Sequence, residues 1–284
     1  MTSNPVTDTV YPEGVPNFVA NELRERAHRY AVVIPVINEG SRIKRQLTEM
    51  EELPFPLDIV IADGGSDDGS LDPDLLKTFR HVRAVLTKTD TGRLGAQLRI
   101  AYAWCLQGGY AGIVTIDGNG KDGVAAIADF FAKLDAGYDL VQGSRYVAGG
   151  VSENTPVDRY VAGRFIHAPL ISLASRRFWY TDTTNGFRAY SRKFLLDERV
   201  APFRPLFDRY QLLFYLSIRA PQLGFRVCET PVERRYPANK ATPTKISGLR
   251  GRMSMLLELV HVAIGRYDPK QSKRAVAQNV FQES

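Results

Sequence analysis

From Tyr30 onward the chain alternates short apolar runs with longer stretches in which apolar side chains recur every three or four residues. The runs are AVVIPV (31–36), DIVIAD (58–63), VRAVLT (82–87), GIVTID (112–117) and YDLVQG (138–143). Most are nearly continuous in Val, Ile, Leu and Ala and give way to Asp, Gly or Asn, the pattern of strands covered on both faces. Between them, Leu94–Leu106 puts Leu94, Leu98, Ala101, Tyr102 and Cys105 at helical spacing, and Val124–Leu134 does the same with Ile127, Phe130 and Phe131. This rhythm predicts an α/β fold: a mostly parallel, Rossmann-like central sheet flanked by helices. Past Gly143 the pattern loosens into two long amphipathic stretches, 158–178 and 206–220, with the polar segment TDTTNGFRAYSRKFL between them. A strand follows in FRVCETPVERRY, then an amphipathic helix over 245–266. Three units result: an N-terminal extension (1–28) with a short helix over 21–28, the α/β domain (29–236), and a basic loop with a C-terminal amphipathic helix (237–284).

Composition removes several classes. With 284 residues, 44% apolar and 24% charged, the chain has the profile of a soluble globular domain rather than a disordered or fibrous one. Its two cysteines, Cys105 and Cys228, form neither a metal-binding spacing nor a disulfide framework, so a reducing cytoplasm is expected. The first residues lack a basic segment followed by an apolar run, and no stretch approaches about 20 uncharged apolar residues. Secretion and membrane spanning are therefore not expected. The net charge of +6 favours anionic partners. Residues 234–252 hold six basic side chains and no acidic one. No helix-turn-helix, zinc or RNP pattern accompanies them, so nucleic acid is not the expected partner.

Parallel strands place their carboxyl ends together, so the loops after them converge. After the first run come Asn38 and Glu39, and after the second Asp63, Gly64, Gly65 and Ser66, a set suited to a nucleoside lying across the sheet edge. After the fourth run, Asp117 and Asn119 stand at i and i+2 among glycines; two oxygen side chains aimed at one point suit a hard divalent cation, Mg2+ or Mn2+, bridging to a diphosphate. The same loop spells GxGxxG through Gly118, Gly120 and Gly123, which leaves a NAD-dependent oxidoreductase as an alternative. A non-catalytic nucleotide-binding module is another.

Taken in order, PVINEG, DGGSDDGS, GRLGAQLRIAYA, DGNGKDG, GSRY and TDTTNGFRAY resemble the family-2 glycosyltransferases of GT-A fold, and among them the polyprenyl- or dolichol-phosphate sugar transferases. ETPVERRYPANKATPTKIS resembles that group's basic segment. The resemblance implies an inverting transfer from a UDP- or GDP-sugar to a lipid phosphate, with a glycan hydroxyl in a surface polysaccharide pathway as the alternative acceptor. It implies that Pro35, Val36, Glu39 and Asp63 hold the nucleoside, beside Asn38, Gly64 and Gly118. Asp117 and Asn119 would hold the metal, and Arg145 and Lys245, joined by Arg235, would contact phosphates. For a hydroxyl acceptor the first candidate base is Asp182 and the second Asp122. Two departures from the family pattern stand out: Asn119 where a second acid is usual, and Lys121 where Gln is common. Both make the loop less negative, so the cation is expected to be held weakly. Without the transmembrane helices that many relatives carry, the chain is expected to reach its acceptor from solution or by peripheral contact at the inner face of the membrane.

Overall fold

A computed structural model describes residues 11–237 and 248–269, with the backbone alone for 248–252. The elements run β1 (Phe18–Glu22), β2 (Tyr30–Val36), α1 (Ser41–Glu51), β3 (Asp58–Asp63), α2 (Pro73–Leu76), β4 (Val82–Lys88), α3 (Leu94–Gln107), β5 (Gly112–Thr115), a 3-10 turn (Val124–Ala126), α4 (Ile127–Asp135), β6 (Leu140–Ser144) and β7 (Val151–Glu153). Then follow α5 (Val157–Ala162), a π-helical turn (Gly163–His167), α6 (Ala168–Ser175), β8 (Arg188–Ser191), α7 (Arg192–Leu196), α8 (Gln211–Gln222), β9 (Val227–Pro231), β10 (Glu233–Arg235) and α9 (Gly248–Ala263).

Eight strands form one sheet in the order β1-β4-β3-β2-β5-β8-β6-β9, with only β1 and β8 antiparallel to the rest; β10 and β7 pair separately. The continuous apolar runs have a simple cause. Ala31 and Val33 of β2, with Val60 and Ala62 of β3, pack into a core shared with α3 and α8, while Val32, Ile34, Ile59 and Ile61 pack on the other face with α1 and α4. Both parities of each strand are buried, so no alternation survives in the sequence.

Topology fixes the site. β2 pairs with β3 on one side and β5 on the other, because the chain runs outward to β4 before returning. A crevice opens where the order reverses, at the carboxyl ends of β2, β3 and β5. β8 runs against β5 and β6, with Arg188 opposite Thr115 and Gln142. The segment just before β8 therefore enters the same crevice.

The structure corrects three sequence expectations. Residues 21–28 hold no helix: Asn21 and Glu22 end β1, which pairs with β4 from Phe18↔Lys88 to Glu22↔Ala84. The free edge of β4 needs hydrogen-bond partners, and the extension supplies them. The stretch 158–178 is broken by the π-helical turn and ends at Ser175, with Arg176 left-handed at φ 64°. The helix expected from 206 begins only at Gln211.

Candidate functional site

The loops after β2 and β3 are stitched to each other. Asn38, at φ 51°, donates its backbone N–H to Ser66 Oγ (3.1 Å) and its Nδ2 to Asp67 Oδ1 (2.8 Å), while Asp67 N–H returns a bond to Asn38 Oδ1 (2.9 Å). Asp63 Oδ1 accepts from Gly65 N–H, Ser66 N–H and Ser66 Oγ at 2.8–3.1 Å, closing the turn that follows β3. Gly64 N–H donates to Val36 O (2.8 Å), and a Cβ there would crowd Gln97 Nε2. Gly118 packs on the end of β2, where a Cβ would stand 3.0 Å from Pro35 O and from a Val36 methyl. Glu39 pairs with Arg42 (2.8 Å). Pro35, Val36, Asn38, Glu39, Asp63, Gly64 and Gly118 thus lie together at one edge of the crevice.

At the end of β5, Asp117 Oδ2 accepts from Arg234 Nη2 (3.1 Å) and from Asn119 Nδ2 (3.4 Å). Arg234 Nη1 also donates to Asp122 Oδ2 (2.6 Å), so one buried guanidinium bridges two carboxylates. Burial pushes the Asp122 carboxyl up to about 6, although Arg234 pulls the other way. Burial and Arg234 together lower the Lys121 ammonium. Three cations crowd the ring of Tyr236: Lys121 Nζ at 5.1 Å, Arg234 at 5.6 Å and Arg159 at 5.7 Å from its centroid. Arg145 and Arg164 each lie 5.1 Å from the ring of neighbouring Tyr146. Five cations against Asp117, Asp122 and Asp182 leave a positive well, the electrostatic form of a phosphate site.

Asp182 enters the crevice but is not a free base. Its carboxylate takes Arg145 Nε at 2.6 Å and Nη2 at 3.0 Å, and accepts from Thr184 as well. Burial alone would raise its pKa; the bidentate guanidinium holds it below the usual carboxylate range. The same pairing, with a further bond from Arg145 Nη2 to Thr184 Oγ1 (2.8 Å), holds Arg145 against the crevice wall. Arg188, fully buried, donates to carbonyls of Thr183, Asn185 and Leu213 and to Ser217 Oγ.

Arg235 points away from the crevice; its exposed guanidinium pairs with Glu233 and with Glu153 (3.3 Å). Its neighbour Arg234 occupies the site instead. Lys245 lies outside the described residues. Gly186 fits where a Cβ would stand 2.4 Å from Asp117 Oδ1. Gly186→Ala is expected to displace that carboxylate and lower kcat/KM at least about tenfold with the fold retained. Steady-state kinetics beside a thermal melt test this, and a wild-type rate would remove Gly186 from the site.

The oxygen donors suit a hard cation only in part. Asn119 Oδ1 is a buried acceptor with no partner, and Asp117 is partly exposed. Among the described residues, however, no three His, Cys, Asp or Glu side chains converge. A cation there needs oxygens from its ligand.

The glycosyl transferase family 2 model matches residues 31–197, which span β2 through α7 and so β2, β3 and β5, whose carboxyl ends open the crevice. The chain belongs to this family. It is 29% identical over 246 residues to polyprenol monophosphomannose synthase of Mycolicibacterium smegmatis, covering 79% of this chain and 89% of that protein. It is 26% identical over 235 residues to dolichyl-phosphate hexose transferase of Haloferax volcanii, covering 82% and 93%. Among solved structures it resembles glucosyl-3-phosphoglycerate synthase from Mycobacterium tuberculosis, crystallised with Mn2+, UDP and glucosyl-3-phosphoglycerate, with a TM-score of 0.58 at 16% identity over 85% of this chain and 81% of that one. That likeness bears out the GT-A fold. As a family 2 glycosyltransferase the chain is an enzyme, and neither the binding-module reading nor the NAD reading of Gly118, Gly120 and Gly123 holds. The local geometry agrees: Gly120 sits at φ 63°, with its carbonyl on Arg45, and the loop leads into a 3-10 turn rather than opening an α-helix on a phosphate.

Proposed function

We propose that this protein transfers a hexose from a UDP- or GDP-sugar to a polyprenyl phosphate with inversion at the anomeric carbon. One observation carries the reading: the carboxylates described above in the crevice are all engaged, Glu39 by Arg42, Asp63 by Ser66, Asp117 and Asp122 by Arg234, and Asp182 by Arg145. A hydroxyl acceptor must give its proton to a base in the transition state. A phosphate monoester, with a second pKa of about 6, is already ionised near neutral pH and attacks unaided. The relatives named for polyprenol and dolichyl phosphate support the same acceptor class.

The cations divide the work. Arg234 and Lys121, beside Asp117, face the leaving diphosphate, where charge grows as the anomeric C–O bond breaks and the acceptor's C–O bond forms. Arg159 and Arg164 flank an open pocket of about 460 Å³ lined by Tyr146, Ser152, Asn154, Thr155, Val157 and Tyr160, which would take the acceptor phosphate. Asp117 and Asn119 would hold a divalent cation, Mg2+ or Mn2+, which when bound offsets charge on the diphosphate. Asp182 orients Arg145 and the wall rather than moving a proton.

The test offers each candidate donor a short-chain prenyl phosphate and the prenol of equal length. Transfer is expected to the phosphate alone, with a rate that rises through about pH 6 as the acceptor ionises. Transfer to the prenol would overturn the reading.

A further inference from the structure

Among the described residues, most large apolar side chains that stand exposed lie from Val151 onward. Along the rod formed by α5, the π-helical turn and α6, the exposed residues are Val157, Tyr160, Val161, Phe165, Ile166 and Leu173. Val157, Phe165 and Leu173 are 67–77% exposed, while the opposite side of the rod, with Gly163, His167, Ile171 and Ser175, is buried. α5 itself buries no residue at all. A helix that buries none of its side chains, and turns valines and a tyrosine outward, has no covering partner among the described residues.

α9 repeats the pattern. It packs on α6 and α8 through Leu259 and Val262, yet exposes Met253, Leu257, Val260 and Ile264, one outer stripe at helical spacing. Between α6 and β8, Trp179 is 63% exposed. Charge identifies the occupant: Arg176 and Arg177, both exposed, follow directly on the rod, and Asp158 is the one acid in residues 157–179. Apolar and aromatic side chains flanked by arginine, on helices too short and polar to span, fit the interface of an anionic bilayer. Among the described residues no helix is long and apolar enough to cross a membrane.

We propose that the rod from α5 to α6, with α9 beside it, is a docking face for an anionic lipid membrane. The inference rests on the lipid-phosphate acceptor reading in one respect. Val157 and Tyr160 belong both to the rod and to the acceptor pocket. A phosphate seated in the pocket would thus leave its isoprenoid tail along the rod, within the bilayer surface and without crossing protein.

The experiment is flotation of the full chain with vesicles of phosphatidylcholine, alone or with about one-quarter phosphatidylglycerol. Wild-type protein is expected to float with the anionic vesicles, less at high salt and less with the neutral ones. The triple variant Phe165→Ser, Leu173→Ser, Trp179→Ser is expected to lose at least about tenfold of that partition. It should keep its melting temperature and its turnover on a short, water-soluble prenyl phosphate. Val19→Ser, equally exposed on β1, is expected to change nothing; should the triple variant fail to fold, Phe165→Ser alone reads the same partition. Wild-type protein that ignores anionic vesicles, or variants that float as wild type does, would overturn the docking face. So would a wild-type dimer that the triple variant splits, since a second copy would then be the occupant. Vesicle binding without any transfer to the soluble prenyl phosphate would sink the acceptor reading and leave the docking face supported.

Discussion

Asp117→Ala is expected to lower sugar transfer by at least about 100-fold while leaving the melting temperature nearly unchanged. Asp117 is the partly exposed carboxylate of the cluster, and its loss leaves Arg234 still bonded to buried Asp122. The fold therefore keeps its internal pair. What disappears is the negative oxygen that positions a cation, or Arg234, against the donor diphosphate. A readout independent of turnover is Mn2+ binding, followed by electron paramagnetic resonance with and without nucleoside diphosphate. Wild-type protein is expected to hold Mn2+ appreciably only with the diphosphate, because Asp117 and Asn119 supply too few oxygens and Arg234 already occupies Asp117 Oδ2. Asn119→Asp adds a second charge and should tighten Mn2+ without nucleotide; Asp117→Ala should abolish binding in both conditions. An Asp117→Ala enzyme with the wild-type rate would refute the assignment.

What the sequence made legible follows from where each element is buried. β2 to β6 are covered on both faces, and short, mostly apolar runs mark all five in the sequence. β8 escaped because RAYS is short and opens on a buried arginine, whose partners Thr183, Asn185, Leu213 and Ser217 only the folded chain brings around it. The choice between Arg234 and Arg235 was within reach. Val232, Arg234 and Tyr236 are buried and Arg235 is exposed, so period-two alternation carried from Val232 points Arg234 inward. No such local rule joins Arg145 to Asp182, which lie 37 residues apart and meet only because β8 runs against its neighbours. Asp182 therefore looked like an available base until the topology supplied its partner.

That pair carries the largest expected effect on stability. Arg145→Met is expected to lower stability by about 3–5 kcal/mol at neutral pH, or roughly 10 °C in melting temperature for a domain of this size. The two side chains are 4% and 1% exposed, so removing the guanidinium strands a carboxylate out of reach of water. Thr184 and the backbone cannot replace two charged hydrogen bonds. The pH dependence has a definite sign. In wild-type protein the folded Asp182 pKa lies below its unfolded value, so its contribution is present above about pH 4 and fades only as pH falls further. In the variant, burial without Arg145 raises the folded pKa, so lowering the pH protonates Asp182 and removes the penalty. The gap between the two proteins should thus be widest near pH 7 and narrow toward pH 4. Adding Asp182→Leu should recover part of the loss, since no charge is then stranded, but not all of it, because Arg145 N–H and Thr184 N–H lose their acceptor. Chemical denaturation of the three proteins across that pH range decides the matter: an Arg145→Met variant as stable as wild type at pH 7 would mean that Asp182 finds another partner and that the wall of the crevice does not depend on this pair.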